Sequence, residues 1–71
     1  MRSEGRVARV TEIIAGSTKS FEDAIQVGFR RASKTLRGIT GFKVKEQKAS
    51  VEDGKIIEYR VTLDVIFVLE S

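Results

Sequence analysis

Three features of this 71-residue sequence predict an α+β fold of order β-α-β-β, a three-stranded antiparallel sheet packed on one helix. First, Ile57, Tyr59, Val61, Leu63, Val65, Phe67 and Leu69 are apolar at every second position, the pattern of one strand with a continuous apolar face. Second, apolar residues recur at three- and four-residue steps from Phe21 onward, as on a helix. Third, Asp53-Gly54 separates two β-rich runs and can place two residues at positive φ, as a tight hairpin turn requires. No repeat, linker or low-complexity segment interrupts this order, so residues 1–71 read as a single domain.

Along the chain, Val7 to Ala15 is β-rich and stops at Gly16-Ser17, giving the first strand. Ser20 opens the helix as the first residue of an S-x-x-D start, with Glu22 and Asp23 placed to favour its positive N-terminal end. The stripe runs through Phe21, Ala24, Ile25, Gly28, Ala32, Thr35, Leu36 and Ile39, and Gly38 is placed to end the helix in a left-handed cap. The small residues Ala24, Gly28 and Ala32 let a sheet approach closely. Gly41 to Val51 forms the second strand, more charged than the others, and Lys55 to about Glu70 forms the third. On the far face of that third strand, Ile56, Ile66 and Val68 alternate with Glu58, Arg60, Thr62, Asp64 and Glu70. Such a mixed face suits solvent and subunit contacts better than a second core layer.

Size makes the same point. The apolar stripe of the third strand would run about 43 Å at roughly 3.3 Å per residue, longer than the helix that must cover it. A lone core is marginal at this length. The chain has no cysteine and no histidine, which removes disulfides, the usual zinc ligands and the usual general base. Self-association is the remaining way to bury more apolar surface, so the chain reads as a homo-oligomer subunit.

Charge is mild, with 13 basic and 10 acidic residues and a net +3. Arg30, Arg31, Lys34 and Arg37 fall on the helix and Lys43, Lys45 and Lys48 on the next strand, with Glu46, Glu52 and Glu58 interleaved. The interleaving favours a solvated surface over a phosphate-binding patch. A nucleic-acid module would use these cations with Phe42 or Tyr59 for stacking, but Tyr59 lies on the apolar strand face and no RRM or KH signature is present. Catalysis is disfavoured too: no carboxylate pair stands at a telling spacing and no glycine-rich phosphate loop occurs. No apolar run reaches membrane-spanning length and the N-terminus lacks a signal-peptide core, so the expectation is a cytoplasmic protein.

The phrase Arg9-Val10-Thr11-Glu12-Ile13-Ile14-Ala15-Gly16-Ser17, followed by Ser20, Phe21, Ala24 and Ile25, resembles the dodecin family. The likeness continues through Arg31-Ala32, Thr35-Leu36, Phe42-x-Val44, Asp53-Gly54 and Tyr59-x-Val61-Thr62-x-x-Val65-x-Phe67-x-Leu69, over nearly the whole chain without a gap. The resemblance implies a non-enzymatic protein that forms a hollow homododecamer and sequesters flavins, FMN or riboflavin, two stacked at a two-fold interface. In typical members a tryptophan at the start of the second strand stacks on the flavin ring and a glutamine on the third strand hydrogen-bonds to it. Here the tryptophan position is Gly41 and the glutamine position is Arg60, and no tryptophan occurs anywhere. Stacking on such a ring is worth about 1–3 kcal/mol, and a guanidinium donates but cannot accept. Phe42 points to the opposite face from Gly41 and does not substitute.

The expected ligand site therefore lies between subunits around Gly41, Lys43, Lys45 and Arg60, with space where the indole would be and cations that favour an anionic ligand. The alternative follows from dodecin-like proteins that bind calcium: Glu46, Asp64 and Glu70 would be the ligands for calcium or magnesium. A calcium ion needs about six to eight oxygen ligands, so several copies would have to meet at a symmetry axis.

Overall fold

The computed structural model describes residues 6–69. It consists of β1 (Ala8–Ser17), α1 (Phe21–Thr35), β2 (Ile39–Glu52) and β3 (Lys55–Val68). The three strands form one antiparallel sheet in the order β1-β3-β2, so the most apolar strand is central. The predicted β-α-β-β architecture is the one found.

Alternation sorts the sheet into two faces. Thr11, Ile13 and Ala15 of β1 stand opposite Val65, Leu63 and Val61 of β3, and Phe42 and Val44 of β2 flank the same Val65 and Leu63 from the other side. Against this face packs α1, burying Ala24, Gly28 and Ala32. A side chain at position 28 would start 3.0 Å from both Ala15 Cβ and a Leu63 methyl, so glycine there sets how closely helix and sheet approach. Val61, Leu63 and Val65 are fully buried, with Ile13, Phe21, Ile25, Leu36 and Ile39 packed around them. Tyr59 lies on this inner face as expected, its ring edge-on to Phe21 at 5.1 Å between centroids.

Local chemistry sets the ends of the elements. Ser20, extended at φ −171°, caps α1 by accepting the Asp23 N–H at 2.9 Å. Asp23 does not complete a reciprocal capping box; its carboxylate instead accepts the Ser17 hydroxyl at 2.6 Å, tying the end of β1 to the helix. The hairpin turn is the predicted one, with Asp53 at φ 52° and Gly54 at φ 76°.

Several boundaries differ from the sequence reading. β1 runs through Gly16 and Ser17, because pairing with Arg60 and Tyr59 holds both in the ladder. The helix ends at Thr35: Leu36 is its extended C-cap, donating its N–H to the Ala32 carbonyl. Gly38 (φ 71°) therefore turns the chain into β2 instead of capping the helix, and Arg37 lies off the helix. Ile39, assigned by spacing to the helix stripe, is the first residue of β2 and reaches the same core from the sheet. β3 ends at Val68, and Glu70 lies outside the described residues.

The subunit is elongated, 57 × 20 × 14 Å, with a radius of gyration of 15.2 Å. A compact chain of this length would have about 11 Å. A helix of this length spans about 22 Å at 1.5 Å per residue, so it covers only the middle of the sheet. Beyond it Ile57 and Leu69 of the same apolar stripe remain 46% and 42% exposed. The expected mismatch between strand and helix is real.

Candidate functional site

The face of the sheet turned away from α1 carries all the described candidate residues. On β3 the strand alternation puts Glu58, Arg60, Thr62, Asp64 and Ile66 there, and their partners follow from the register. Gly41 stands opposite Ile66, Lys43 opposite Asp64, Glu46 opposite Thr62 and Lys48 opposite Arg60. From β1, Val10, Glu12, Ile14 and Gly16 stand opposite Ile66, Asp64, Thr62 and Arg60. A band of charge thus crosses the centre of the face, between apolar positions at Val10 and Ile66 and at Ile14.

Lys45 lies on this face at an irregularity that also brings Glu46 to it. The register slips between Val44 and Glu46, leaving Lys45 unpaired in a bulge of β2. Its ammonium reaches over β3 to Glu12 at 2.7 Å. That hydrogen bond and charge, helped by Asp64 and Glu46, hold the Lys45 pKa above its ordinary value. Glu12 and Asp64 are like charges directly opposite one another, an arrangement that disfavours pairing unless a cation intervenes. Lys45 is that cation.

Arg60 is also partnered. Its guanidinium meets Glu58 at 2.8 Å, both side chains only partly exposed. The second Glu58 oxygen lies against Gly16, so close that a Cβ at position 16 would stand 2.7 Å from it. Gly41, by contrast, faces open space, with nothing within 4 Å of where its Cβ would be. Phe42 turns inward to Phe29 of the helix, ring centroids 5.6 Å apart, which confirms that it does not take the place of a ring at position 41.

Within one subunit the proposed cationic set does not converge. Gly41, Lys43 and Lys45 follow one another along β2, whereas Arg60 lies opposite Gly16 and Lys48. Ile66, the β3 partner of Gly41, and Arg60 are six residues apart, about 20 Å along the strand. Among the carboxylates, Glu46 and Asp64 share the outer face near Lys45, and Glu70 lies outside the described residues. Among the described residues no three acidic side chains gather closely enough to hold a metal ion.

Two surfaces were not legible in the sequence. A groove of about 600 Å³ runs between β1 and α1, lined by Ile13, Ile14, Ala15, Val27, Arg31 and Leu36 among others. On the other flank of the helix, Phe29, Phe42 and Val44 form a patch in which each is more than a third exposed. The helical spacing hinted at neither, because Val27 and Phe29 fall just outside the buried stripe. No helix among the described residues is long and apolar enough to cross a membrane.

Comparison with known proteins gives one consistent family. The Dodecin family model matches residues 7–70. The dodecin of Thermus thermophilus is 39% identical over 67 residues, spanning 94% of this chain and 97% of that protein. The solved dodecin of Streptomyces coelicolor superposes with a TM-score of 0.88 at 32% identity, covering 97% of this chain and 99% of that one. A calcium dodecin from Mycobacterium tuberculosis, described as a calcium-chelating antigen with a novel calcium-binding site, aligns with a TM-score of 0.77 at 35% identity, over 90% of this chain and 91% of that one. With the family match over residues 7–70, the 39% identical relative and the superposition of the solved structures in agreement, the chain belongs to the dodecin family.

Proposed function

We propose that this chain is the non-enzymatic subunit of a homododecameric binding and storage shell, working in the cytoplasm and holding a flavin or another anionic ligand between subunits. The observation that carries the reading is the unfinished subunit: an elongated sheet whose ends and outer face are left uncovered. Val10 and Ile14 on the outer face are 58% and 65% exposed, more than a small soluble subunit gains from leaving in water. A two-fold that lays two outer faces together brings Arg60 of one subunit toward Gly41 and Lys43 of the next. The open space over Gly41 admits a ring, and the cations supply attraction to a phosphate, as on FMN, that salt would screen. Riboflavin, lacking the phosphate, gains only the apolar part.

Native mass and the absorption spectrum of protein purified without added ligand test this reading first. A mass near twelve subunits is expected, and FMN titration should saturate. Arg60→Gln should weaken FMN; unchanged binding of FMN and of every other anion tried would remove Arg60 from the site. A monomer at micromolar concentration would refute the assembly.

A second reading is supported by the calcium dodecin relative: calcium or magnesium bound by Glu46, Asp64 and Glu70 gathered at a symmetry axis. It predicts that calcium raises the melting temperature and that Glu46→Gln abolishes the rise. The anionic-ligand reading is preferred because Lys45 already neutralises the carboxylates around it.

A further inference from the structure

The geometry around Arg60 points to an internal competitor for the ligand. We propose that Glu58 is a specificity-determining residue: its carboxylate occupies Arg60 as a resident anion, which an anionic ligand must displace or share. The inference rests on the reading above, in which Arg60 faces the ligand.

Three observations carry it. Glu58 and Arg60 are two residues apart on β3 and so share the outer face, where they meet at 2.8 Å. The Glu58 carboxylate is also seated, since its other oxygen lies against the backbone of Gly16, the residue directly opposite Arg60 on β1. On the other side of Arg60 stands Lys48, so Glu58 relieves two cations that face each other across the strands. A guanidinium has five N–H donors, and Glu58 takes one side of the fork. What remains can bind a strong, divalent anion such as a phosphate monoester, while a weak or neutral partner gains little against the resident carboxylate. Glu58 thereby lowers affinity for anions and leaves a neutral ligand nearly untouched, so it narrows the preference of the site for a phosphorylated flavin over an unphosphorylated one.

Gly16 offers an independent handle. Adding a methyl there displaces the end of the Glu58 side chain and nothing in the backbone, so Gly16→Ala moves the carboxylate while leaving its charge in place. The experiment is a fluorescence titration of FMN and of riboflavin against the assembled protein, its Glu58→Gln and Gly16→Ala variants, and Glu58→Gln combined with Arg60→Gln. Native mass is checked for each. Both single variants should bind FMN about three- to fivefold more tightly, the scale of a partly exposed ion pair, with riboflavin changed less than about twofold. The gain should vanish in the double variant, because the coupling runs through Arg60. If the native protein binds FMN and neither single variant alters it, or if FMN and riboflavin shift together, the competitor role is wrong while the site stands. If the native protein binds neither flavin nor inorganic pyrophosphate, the site itself is wrong and the competitor role falls with it.

Discussion

Lys45 shows how one backbone irregularity decides the chemistry of a face. Alternation from Gly41 and Lys43 already turns Lys45 to the outer face, and the slip between Val44 and Glu46 keeps Glu46 and then Lys48 on that face instead of sending Glu46 to the helix side. In the bulge it bridges β2 to β1 across the central strand. The consequence for pH has a definite sign. Folding raises the Lys45 pKa above its ordinary value of 10.5, so its contribution to stability is complete below that pH and is lost as pH rises through the folded value. Lys45→Met should therefore flatten the alkaline limb of stability against pH, measured by denaturant titration between about pH 9 and 12. An unchanged slope would mean that the pair adds nothing in solution. The identity of the residue was plain in the sequence; its partner Glu12, 33 positions away, was not, because no local pattern places β1 two strands from β2 in the sheet.

At the scale of elements, the joint between α1 and β2 is the most constrained. Gly38 sits at φ 71°, and a Cβ there would lie 3.0 Å from the carbonyl oxygen of Val68. The same Val68 donates its N–H to the Gly38 carbonyl at 3.0 Å, so neither backbone can retreat without breaking a bond. Gly38→Ala should cost about 1–2 kcal/mol from the left-handed backbone alone, and more from the contact. Gly54→Ala, also at positive φ but in open space, should cost less. Thermal melts of the two variants side by side check this; equal losses would mean that the Val68 contact is relaxed in solution. The sequence marked Gly38 as a breaker but gave it the wrong duty. A helical stripe counts apolar residues without knowing that Leu36 and Ile39 reach one core from two different elements.

For the whole molecule, the proposed assembly would complete a core that one chain leaves unfinished. Among the described residues only Ala15, Ala24, Ala32, Val61, Leu63 and Val65 form the buried apolar core, with few large side chains for a self-sufficient domain. The groove along β1 and the patch at Phe29, Phe42 and Val44 leave apolar surface on both flanks of the helix, and both outer strands present unpaired edges. Ile14 touches both the outer face and the groove. Ile14→Asp should lower the native mass and the melting temperature together, since subunits that bind only when folded stabilise one another by mass action. A dissociated variant that kept the native melting temperature would show that the subunit stands alone.

Alternation, helical spacing and the Asp53-Gly54 turn determined the element order and the inner face, because these depend on periodicities that neighbouring residues carry. Family membership was equally legible, since the resemblance ran through residues at fixed spacing from Arg9 to Leu69. The placement of β3 between β1 and β2, the pairing of Lys45 with Glu12 across it, and the seating of Glu58 over Gly16 beside Arg60 came only from the tertiary structure. Each joins residues distant in sequence or on different strands, and no local pattern specifies which strand edge meets which. The strand charges stay interleaved in space, with Lys43, Lys45, Glu46, Lys48 and Glu58 together on the outer sheet face, while Arg30, Arg31 and Lys34 belong to the helix on the other side. Folding, by sending alternate residues to opposite faces, decides which charges meet.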